Sequence, residues 1–381
     1  MNSSGPPIRF HVAHTPAKAA AYLLEALDNN ENVNGSFTER CSQMLEAKYG
    51  IPNVLLTHSA TAALELSAMV LASSRGANRA FMPSYTFSST ANAFLRAGYE
   101  LEFLDIDPMT MSLPLSEVVA ADIPPNSVIV PVHYAGNPGD VAQISSHATA
   151  TGTWVVEDAA QALGAGRGGA SAGSFGALSA ISFHFTKNVH SSMGGALFIN
   201  DPDLLDLATV IWERGTDRQA MLKGLVDKYS WVDVGSSFQT TELQAALLLA
   251  GLEEYDTILE QRRLLWEGYR LRLDQLDDKG LFLQEWSRGT RNNYHAFYVR
   301  LDTTERADSL RVALRASDIH AYIGYVPLHT APYGIERGLN KHLPMTETWA
   351  SRILRLPLHT AMSPGDMERV ADTILAWLSD R

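Results

Sequence analysis

Residues Trp154–Gln161, with the sequence Trp-Val-Val-Glu-Asp-Ala-Ala-Gln, are the stretch that best predicts the fold. The apolar start predicts a buried strand, which ends in Asp158 and is followed by small residues. In an open α/β sheet, ligands bind beyond the carboxyl ends of the strands, where Asp158 would lie. Taken alone, an acid at a strand end is more often a turn former or a helix cap. A binding site therefore requires support from other residues.

Similar apolar, β-branched runs occur on both sides of this stretch and alternate with helical segments. This alternation predicts a mainly parallel sheet covered by helices on both faces, the α/β class. The predicted strands are Val54–Leu56, Ala80–Met82, Leu101–Leu104, Val128–Val132, Thr153–Val156, Ala180–Phe183 and Ala196–Ile199. The predicted helices between them include Ala62–Ala72, Ser88–Ala97 and Asp140–Ala150.

The pattern changes in the last part of the chain. A long helical run, Glu242–Leu273, precedes strands near Tyr294–Leu301 and Ala321–Tyr325. We therefore expect a large α/β domain with an N-terminal arm over residues 1–250 and a smaller α+β domain over residues 251–381. Because no long Pro/Ser linker or internal repeat is present, the two domains are expected to pack closely.

Composition argues against several classes of protein. With 381 residues and 46% hydrophobic content, the chain can bury a large core. Its formal net charge is −12, so we expect neither a nucleic-acid nor a membrane surface. The single cysteine, Cys41, allows no intramolecular disulfide, and no Cys/His spacing indicates a metal site. Without a signal-like N-terminus or about 18 uninterrupted apolar residues, the sequence predicts a cytoplasmic protein.

A second strand end supplies an amine. The predicted strand Ala180–Phe183 is followed closely by Lys187. A lone loop lysine is most often a solvated charge. Together with Asp158, however, Lys187 meets two requirements of a pyridoxal cofactor. These are an amine that holds the aldehyde as a Schiff base and a carboxylate that keeps the ring nitrogen protonated.

The same cofactor needs a phosphate-binding segment and an aromatic neighbour. Leu56–Thr61 leaves a predicted strand and opens an apolar helix, with small residues where backbone N–H groups can approach an anion. In isolation, an ordinary Ser/Thr helix cap is the more frequent explanation of such a segment. Met82–Phe87 ends another strand and delivers aromatic rings, although core packing is the commoner role of such rings.

A glycine-rich segment, Gly164–Gly169, has the spacing of a dinucleotide-binding fingerprint. That fingerprint requires a strand immediately before it and a helix immediately after it. Here Ser171–Gly176 continues as a loop, and no suitable ribose-binding acid follows. We therefore reject the dinucleotide fingerprint and do not expect a nicotinamide or flavin enzyme. Such an enzyme is kept only as the alternative from another reaction class.

Together these motifs resemble the fold-type-I pyridoxal-phosphate sugar aminotransferases, the DegT/DnrJ/EryC1/StrS family. The similarity extends over nearly the whole chain and is carried by Gly35–Thr38, Pro83–Phe87, Val156–Gln161, Ser182–Asn188 and Tyr325–His329. The resemblance implies a fold-type-I transferase with a mainly parallel sheet and a smaller C-terminal α+β domain.

The resemblance also implies roles for individual residues. Lys187 would carry pyridoxal 5′-phosphate and move protons once the amino donor displaces it. Asp158 would pair with the pyridine nitrogen, Gln161 would bind the ring hydroxyl, and Phe87 would stack on the ring. The residues expected to hold the phosphate are Ser59, Ala60, Thr61 and Ser182, and those expected to contact the substrate are Tyr325 and His329.

Two segments depart from the family pattern. The family usually has Gly-x-Asn-x-Arg, whose Asn reaches the phosphate of the neighbouring subunit, where this chain has Gly235–Gln239. Ser237 stands at the Asn position and can still donate a hydrogen bond. The usual Gly-Glu-Gly-Gly after the lysine is replaced by Ser192–Gly195, which leaves the role of that Glu open. The resemblance implies a homodimer with shared active sites, in which Ser237 reaches the partner's cofactor.

Further segments narrow the resemblance to one branch of the family. Arg214–Arg218, Val226–Trp231 and Gly235–Ser237 resemble the branch that aminates TDP-4-keto-6-deoxy-D-glucose at carbon 4. The implied reaction moves an amino group from an amino acid, expected to be L-glutamate, to this sugar through the pyridoxamine form of the cofactor. Candidate partners of the sugar diphosphate are Arg214, Arg218, Lys223, Lys228 and His329.

Other functions stay open as alternatives. A 3-keto sugar differs only in where the carbonyl lies and would need a different pose in the same site. A UDP-linked sugar is a further alternative acceptor. A dehydratase of the same fold carries His at the lysine position, which the presence of Lys187 disfavours. A non-catalytic regulator would tolerate the loss of cofactor-site residues, whereas each such position here holds a competent residue.

Overall fold

A computed structural model describes residues 5–29 and 33–379 of the chain. Up to residue 199 its elements are, in chain order, α1 (Ala19–Asp28), α2 (Ser36–Tyr49), β1 (Asn53–Thr57), α3 (Ala60–Arg75), β2 (Arg79–Pro83), α4 (Ser88–Arg96), β3 (Glu100–Leu104), α5 (Leu115–Ala120), β4 (Val128–Ile129), α6 (Val141–Thr151), β5 (Trp154–Asp158), β6 (Gly166–Arg167), β7 (Ala170–Ser171), β8 (Leu178–Ser182) and β9 (Gly195–Ile199). The elements that follow are α7 (Leu205–Trp212), α8 (Arg218–Leu222), α9 (Glu242–Glu253), α10 (Tyr255–Arg272), β10 (Leu281–Leu283), β11 (Thr290–Arg291), β12 (Phe297–Leu301), α11 (Thr304–Ala316), β13 (Tyr322–Ile323), α12 (Pro332–Glu336), α13 (Pro344–Ala350), β14 (Ile353–Leu356) and α14 (Pro364–Ser379).

A seven-stranded sheet, in the order β1-β9-β8-β5-β4-β2-β3, contains all the strands predicted for the first part of the chain. Strands β3, β2, β4, β5 and β8 pair in parallel, whereas β9 is antiparallel to both of its neighbours. Every residue of β8 and β9 is buried, as expected for strands covered on both faces. The predicted mainly parallel α/β sheet is therefore confirmed.

Alternate residues of β9 separate two hydrophobic clusters on the two faces of this sheet. Leu197 and Ile199 contribute to the cluster that contains α3 and α4, whereas Ala196 and Phe198 contribute to the one that contains α2 and α9. The period of two in a strand places successive side chains on opposite faces. Helices on both faces thus leave the ends of the strands as the place where the sheet is open to a ligand.

A second sheet, in the order β10-β12-β14-β13, is antiparallel throughout. Its hydrophobic cluster contains residues of α10, α11 and α14. Ile8 from the N-terminal segment joins the same cluster and pairs with Ile319. The later part of the chain therefore has the predicted α+β character, while the domain boundary after residue 250 stays a prediction.

Some element boundaries differ from those predicted. The helical run Glu242–Leu273 is two helices, because Glu254 (φ −95°, ψ 3°) leaves the helical conformation and bonds His14 and the N–H of Ala17. β4 ends at Ile129 instead of Val132. Pro131 lies in between and has no N–H to donate to a neighbouring strand.

Two predicted strands of the second sheet are shorter than expected. The strand near Tyr294–Leu301 begins only at Phe297, since Tyr294 has a φ of 51°. The strand near Ala321–Tyr325 is reduced to Tyr322–Ile323. This short strand pairs with β14 and forms one edge of the second sheet.

The glycine-rich segment Gly164–Gly169 belongs to a hairpin. β6 and β7 pair antiparallel around Gly168 and Gly169, both of which have positive φ, and β11 completes a three-stranded sheet. A strand thus follows the glycines where a dinucleotide fingerprint requires a helix, which supports the rejection of that fingerprint.

Across residues 5–29 and 33–379, no helix combines the length and the apolar character needed to cross a membrane.

Candidate active site

A cavity of about 470 Å³ lies at the carboxyl ends of β5 and β8, whose last residues, Asp158 and Ser182, line it. Residues of β14 in the second sheet line it as well. Nine of the residues predicted for the site line this cavity: Ser59, Ala60, Thr61, Phe87, Asp158, Gln161, Ser182, Lys187 and Tyr325.

Lys187 lies in the turn that follows β8, where its N–H donates to the carbonyl of His184 at 2.8 Å. Its side-chain amine forms no hydrogen bond or salt bridge with the residues that the structure describes. Burial, assisted by the positive charge of Arg355, lowers the pKa of Lys187 to about 8, and the carboxylate of Asp158 opposes this shift. A large fraction of the amine is therefore neutral at mildly alkaline pH, the form that attacks a carbonyl carbon.

The carboxylate of Asp158 is held in one orientation. Oδ2 accepts a hydrogen bond from Thr90 Oγ1 at 2.6 Å, and Oδ1 accepts one from the N–H of Ala160 at 3.2 Å. Thr90 and Thr86 hydroxyls lie 2.8 Å apart, and because the single proton of Thr90 points to Asp158, Thr86 is the donor between them. Thr90, in the first turn of α4, is not predicted from the sequence.

The N-terminus of α3 faces the cavity. Ser59 caps this helix, since its hydroxyl accepts from the N–H of Ala62 at 3.1 Å. The hydroxyls of Thr61 and Ser182 belong to residues that line the cavity. A helix N-terminus offers free N–H groups and a partial positive charge, so this corner suits a phosphate.

The departure from the family pattern at Ser192–Gly195 keeps the glycine that the site needs. A Cβ on Gly195 would come within 2.4 Å of the backbone nitrogen of Ala60. Only glycine therefore lets β9 approach the N-terminus of α3 this closely. Ser192 adopts a φ of 67°, a left-handed conformation that glycine adopts more readily.

Gln161 is fixed from two sides. Its Oε1 accepts from the N–H of Ala135 at 2.8 Å, and its Nε2 donates to the hydroxyl of Tyr325 at 2.6 Å. The ring of Tyr325 lies 6.1 Å from that of Phe87, which is an exposed residue at the cavity. A free face of Phe87 is suited to stacking on a planar ring.

A buried histidine–glutamate pair adjoins Asp158. His133 Nε2 lies 2.7 Å from Glu157 Oε2, and the same carboxylate accepts from the backbone N–H groups of residues 173, 175 and 176. His133 lines the cavity, and its buried Nδ1 has no partner among the described residues. His133 is not predicted from the sequence; it follows β4, whose carboxyl end meets that of β5 in the parallel sheet.

The segment just before β12 brings a neutral imidazole to the cavity. His295 Nδ1 lies 3.2 Å from Asn188 Oδ1, and the amide nitrogen of Asn188 donates to the carbonyl of Asn293. This amide orientation makes His295 Nδ1 the donor and leaves Nε2 as an acceptor. Burial and the charges of Lys187 and Arg262 hold the pKa of His295 well below its usual value.

Two residues predicted for the site lie outside the cavity. His329 is buried, with Nδ1 2.6 Å from Ser84 Oγ and Nε2 3.3 Å from Glu347 Oε1. Both ring nitrogens are thus engaged within the chain, so the position of His329 does not support its predicted contact with substrate. Ser237 is exposed and pairs with Glu213; its predicted contact is with a partner subunit and stays a prediction.

The donor set of the cavity matches what pyridoxal phosphate requires. Lys187 offers an amine for the aldehyde, Asp158 a carboxylate for the ring nitrogen, and α3 an N-terminus for the phosphate. Over the part of the chain that the structure describes, no group of three or more His, Cys, Asp and Glu side chains is arranged to hold a metal ion.

Comparison with known proteins identifies related chains. The model of the DegT/DnrJ/EryC1/StrS aminotransferase family matches residues 15–375. The aminotransferase TlmJ from Streptoalloteichus hindustanus is 25% identical, with a TM-score of 0.88 over 98% of this chain and 99% of that chain. DesI, solved in the presence of its TDP-sugar product, is 30% identical, with a TM-score of 0.86 over 99% of this chain and 94% of that chain. 3-Amino-5-hydroxybenzoic acid synthase, at 23% identity and a TM-score of 0.87 over 99% and 100% of the two chains, shares the fold.

In cofactor-free protein, we expect Asp158→Asn to lower the pKa of Lys187 further, because the carboxylate of Asp158 raises this pKa. The pKa can be measured by NMR titration of the protein after reductive methylation with ¹³C-formaldehyde, the Lys187 signal being assigned with Lys187→Arg. Glu305→Gln, which removes an exposed acid on α11, serves as the control and should leave the pKa unchanged. An unchanged or higher pKa in Asp158→Asn would contradict the proximity of the two groups.

Proposed function

The chain belongs to the DegT/DnrJ/EryC1/StrS aminotransferase family, and on that premise we propose that it is a pyridoxal-phosphate-dependent nucleotide-sugar aminotransferase. The observation that carries this proposal is the placement of the Lys187 amine and the Asp158 carboxylate in one cavity at the carboxyl edge of a parallel sheet. The family match supplies the reaction class, and the residues of the cavity support the cofactor.

When bound, pyridoxal phosphate would supply an aldehyde and an electron-withdrawing ring. Lys187 would hold the aldehyde, Asp158 would hold the proton of the ring nitrogen, and Phe87 would cover one face of the ring. Gln161 presents its amide beside the hydroxyl of Tyr325 and would contact the ring hydroxyl. The residues proposed to hold the phosphate are Ser59, Ala60, Thr61 and Ser182, joined by Ser237 of the partner subunit.

Lys187 would also move protons. In the overall reaction, the amino donor leaves as a 2-oxo acid and the keto sugar leaves as an amino sugar, so no external oxidant or reductant is needed. Each half of the reaction requires a proton to leave one carbon and reach another, and a group transfers protons best when its pKa lies near the working pH. The pKa of Lys187, lowered to about 8 by burial, suits its amine to this role.

We propose TDP-4-keto-6-deoxy-D-glucose as the acceptor, aminated at carbon 4 to a TDP-4-amino-4,6-dideoxyhexose, and L-glutamate as the donor. The sequence resemblance at Arg214–Arg218 and Val226–Trp231 supports this choice, as does the 30% identity to DesI, which was solved with its TDP-sugar product. Among the candidate partners of the diphosphate, Arg218 already pairs with Glu213 at 2.8 Å. A 3-keto or UDP-linked sugar is the alternative acceptor.

Purified protein with L-glutamate should aminate TDP-4-keto-6-deoxy-D-glucose faster than its 3-keto isomer or a UDP-linked 4-keto sugar. The reason is that the anchored nucleotide and sugar decide which carbonyl comes within reach of the amine. Direct competition, with products separated by chromatography and identified by mass spectrometry, measures the preference. Lys187→Ala should give no product from any of the three. Faster amination of the 3-keto isomer would favour the alternative acceptor. Full activity of Lys187→Ala would overturn the proposed aminotransferase function.

We further propose that two copies of the chain form a homodimer through the segment Leu222–Val234. Apolar side chains in this segment are unusually exposed, among them Leu225 at 73% and Trp231 at 80%. Exposed apolar patches on soluble proteins often mark interfaces. Because Ser237 follows the segment directly, a second copy packed here would lie close to it. This arrangement supports the role of Ser237 in the partner's phosphate site.

We expect the double substitution Leu225→Ser and Trp231→Ser to weaken the dimer, because it removes two large apolar side chains from the proposed interface. Analytical ultracentrifugation across a range of protein concentrations measures the change. Leu271→Ser, at a residue 83% exposed on α10, is the matched control and should leave the dimer intact. A fully active wild-type monomer at assay concentration would exclude shared active sites.

A further inference from the structure

Residues 8–18 form a strap along one side of the cavity. At one end, Ile8 joins the hydrophobic cluster of the second sheet. At the other end, the N–H of Ala17 donates at 2.7 Å to the residue that separates α9 from α10. Between these ends, Phe10 and His11 line the cavity. The strap therefore passes the cavity on its way from the second sheet to the end of α9.

Two imidazoles hold the backbone of the strap. His359, which lies between β14 and α14, places Nε2 3.0 Å from the carbonyl oxygen of Arg9. His190, which lies between β8 and β9, places Nε2 2.6 Å from the carbonyl oxygen of His14. Because a carbonyl oxygen only accepts, both nitrogens carry a hydrogen and donate it. The strap is thus fixed on both sides of its cavity-lining residues.

The turn that carries Lys187, residues 184–192, is held from two sides. On one side, the amide nitrogen of Asn188 donates at 2.7 Å to a carbonyl in the segment before β12. On the other side, Nε2 of His11 lies 2.7 Å from the carbonyl oxygen of Phe185 and donates to it. Lys187 lies between these two anchored residues in the chain. The strap therefore holds the turn close to the lysine.

The backbone of this turn determines where the Lys187 amine lies. The amine forms no hydrogen bond or salt bridge with the residues that the structure describes. No contact of that kind therefore fixes the amine within the cavity. A misplacement of about 1 Å in a reacting group can cost about 100-fold in rate. An anchor on the turn is therefore expected to affect how fast the amine reaches a carbonyl carbon.

We propose that His11 is a positioning residue for Lys187, because its bond to the carbonyl of Phe185 fixes the turn from the side of the strap. The two imidazoles that hold the strap keep His11 within reach of this carbonyl. The role does not require His11 to touch the reacting atoms. The inference rests on the proposed function, in which Lys187 attaches the cofactor, and adds a residue that is not predicted from the sequence.

The contact of His11 with the turn predicts a dependence on pH. Burial lowers the pKa of His11 from its ordinary value of 6.5 to about 4, although the bond to Phe185 acts in the opposite direction. The charged and titratable groups that face His11 are Arg262, His359 and His190, and each disfavours a further positive charge. An open strap would return His11 to its ordinary pKa, so the open form binds a proton more readily. The strap is therefore most stable above pH 6.5 and loosens as the pH falls towards 4.

Hydrogen–deuterium exchange of the full chain without cofactor, read by mass spectrometry, tests the anchor. His11→Ala should speed exchange in the peptide that covers residues 184–192 by about 3- to 10-fold, the range of one neutral hydrogen bond. His11→Gln should recover part of the protection, because its amide supplies a donor. His147→Ala, which removes an imidazole on α6, is the matched control and should behave as the wild type.

The same peptide reports the dependence on pH. After correction for intrinsic exchange rates, its protection in the wild type should fall as the pH drops from 6.5 towards 4. The loss should be smaller in His11→Gln, because an amide does not titrate in this range. If His11→Ala does not fold, this comparison decides, since an equal loss of protection in the wild type and His11→Gln would overturn the proposal.

A second measurement follows, by absorbance, the rate at which added pyridoxal phosphate forms a Schiff base with Lys187. This rate should be about 3- to 10-fold lower in His11→Ala, while the amount of cofactor attached at saturation stays that of the wild type. A purely structural role would instead lower the amount of folded protein, which the midpoint of thermal unfolding monitors. His11→Gln should recover part of the rate, and His147→Ala should keep all of it.

The proposal is overturned if His11→Ala leaves the exchange of residues 184–192 unchanged. It is also overturned if that exchange rises while the rate of attachment does not fall, which would make His11 a support of the strap alone. Wild-type protein that attaches no cofactor at Lys187 would contradict the proposed function, and the exchange measurement would then decide by itself whether His11 anchors the turn. Normal attachment in both the wild type and His11→Ala would contradict this inference alone.

Discussion

The parallel pairing of β5 with β8 is the constraint on which the site depends. Their register places Asp158 opposite Ala180, so both strands end at the same edge of the sheet. Asp158 therefore lies at that edge itself, and the turn after β8 returns Lys187 to the same cavity. If the two strands ran antiparallel, their carboxyl ends would lie at opposite edges, and an acid and an amine at strand ends would not meet.

The cavity also has an unusual electrostatic balance for an acidic chain. Although the formal net charge is −12, the described residues that line the cavity include the cations Lys187, Arg262 and Arg355 and a single acid, Asp158. Burial and neighbouring cations keep His295 neutral. Such a pocket favours ligands that carry phosphate and carboxylate groups, because the positive charge inside it is not balanced by the protein. A phosphorylated cofactor, an amino-acid donor and a nucleotide sugar all have this character.

Local sequence patterns predict those parts of the fold and site that depend on short stretches of chain. Asp158 ends a strand, and Lys187 and the cap of α3 each follow one, so the rule that parallel strands end at one edge is enough to bring them together. Thr90 and Arg355 are not predicted, because the contact of Thr90 with Asp158 spans 68 residues and Arg355 belongs to the second sheet. His329 illustrates the opposite case: a motif match predicts its chemistry, but packing directs its ring to Ser84 and Glu347.

Covalent attachment of the cofactor to Lys187 is the most direct test of the account. Protein incubated with pyridoxal phosphate, reduced with borohydride and digested should yield a peptide in which Lys187 alone carries the pyridoxyl group, as identified by tandem mass spectrometry. The neutral fraction of this amine, set by a pKa of about 8, is the reason to expect selectivity over exposed lysines such as Lys18. Lys187→Arg should carry no label. Labelling of another lysine in place of Lys187, or none at all, would contradict the account.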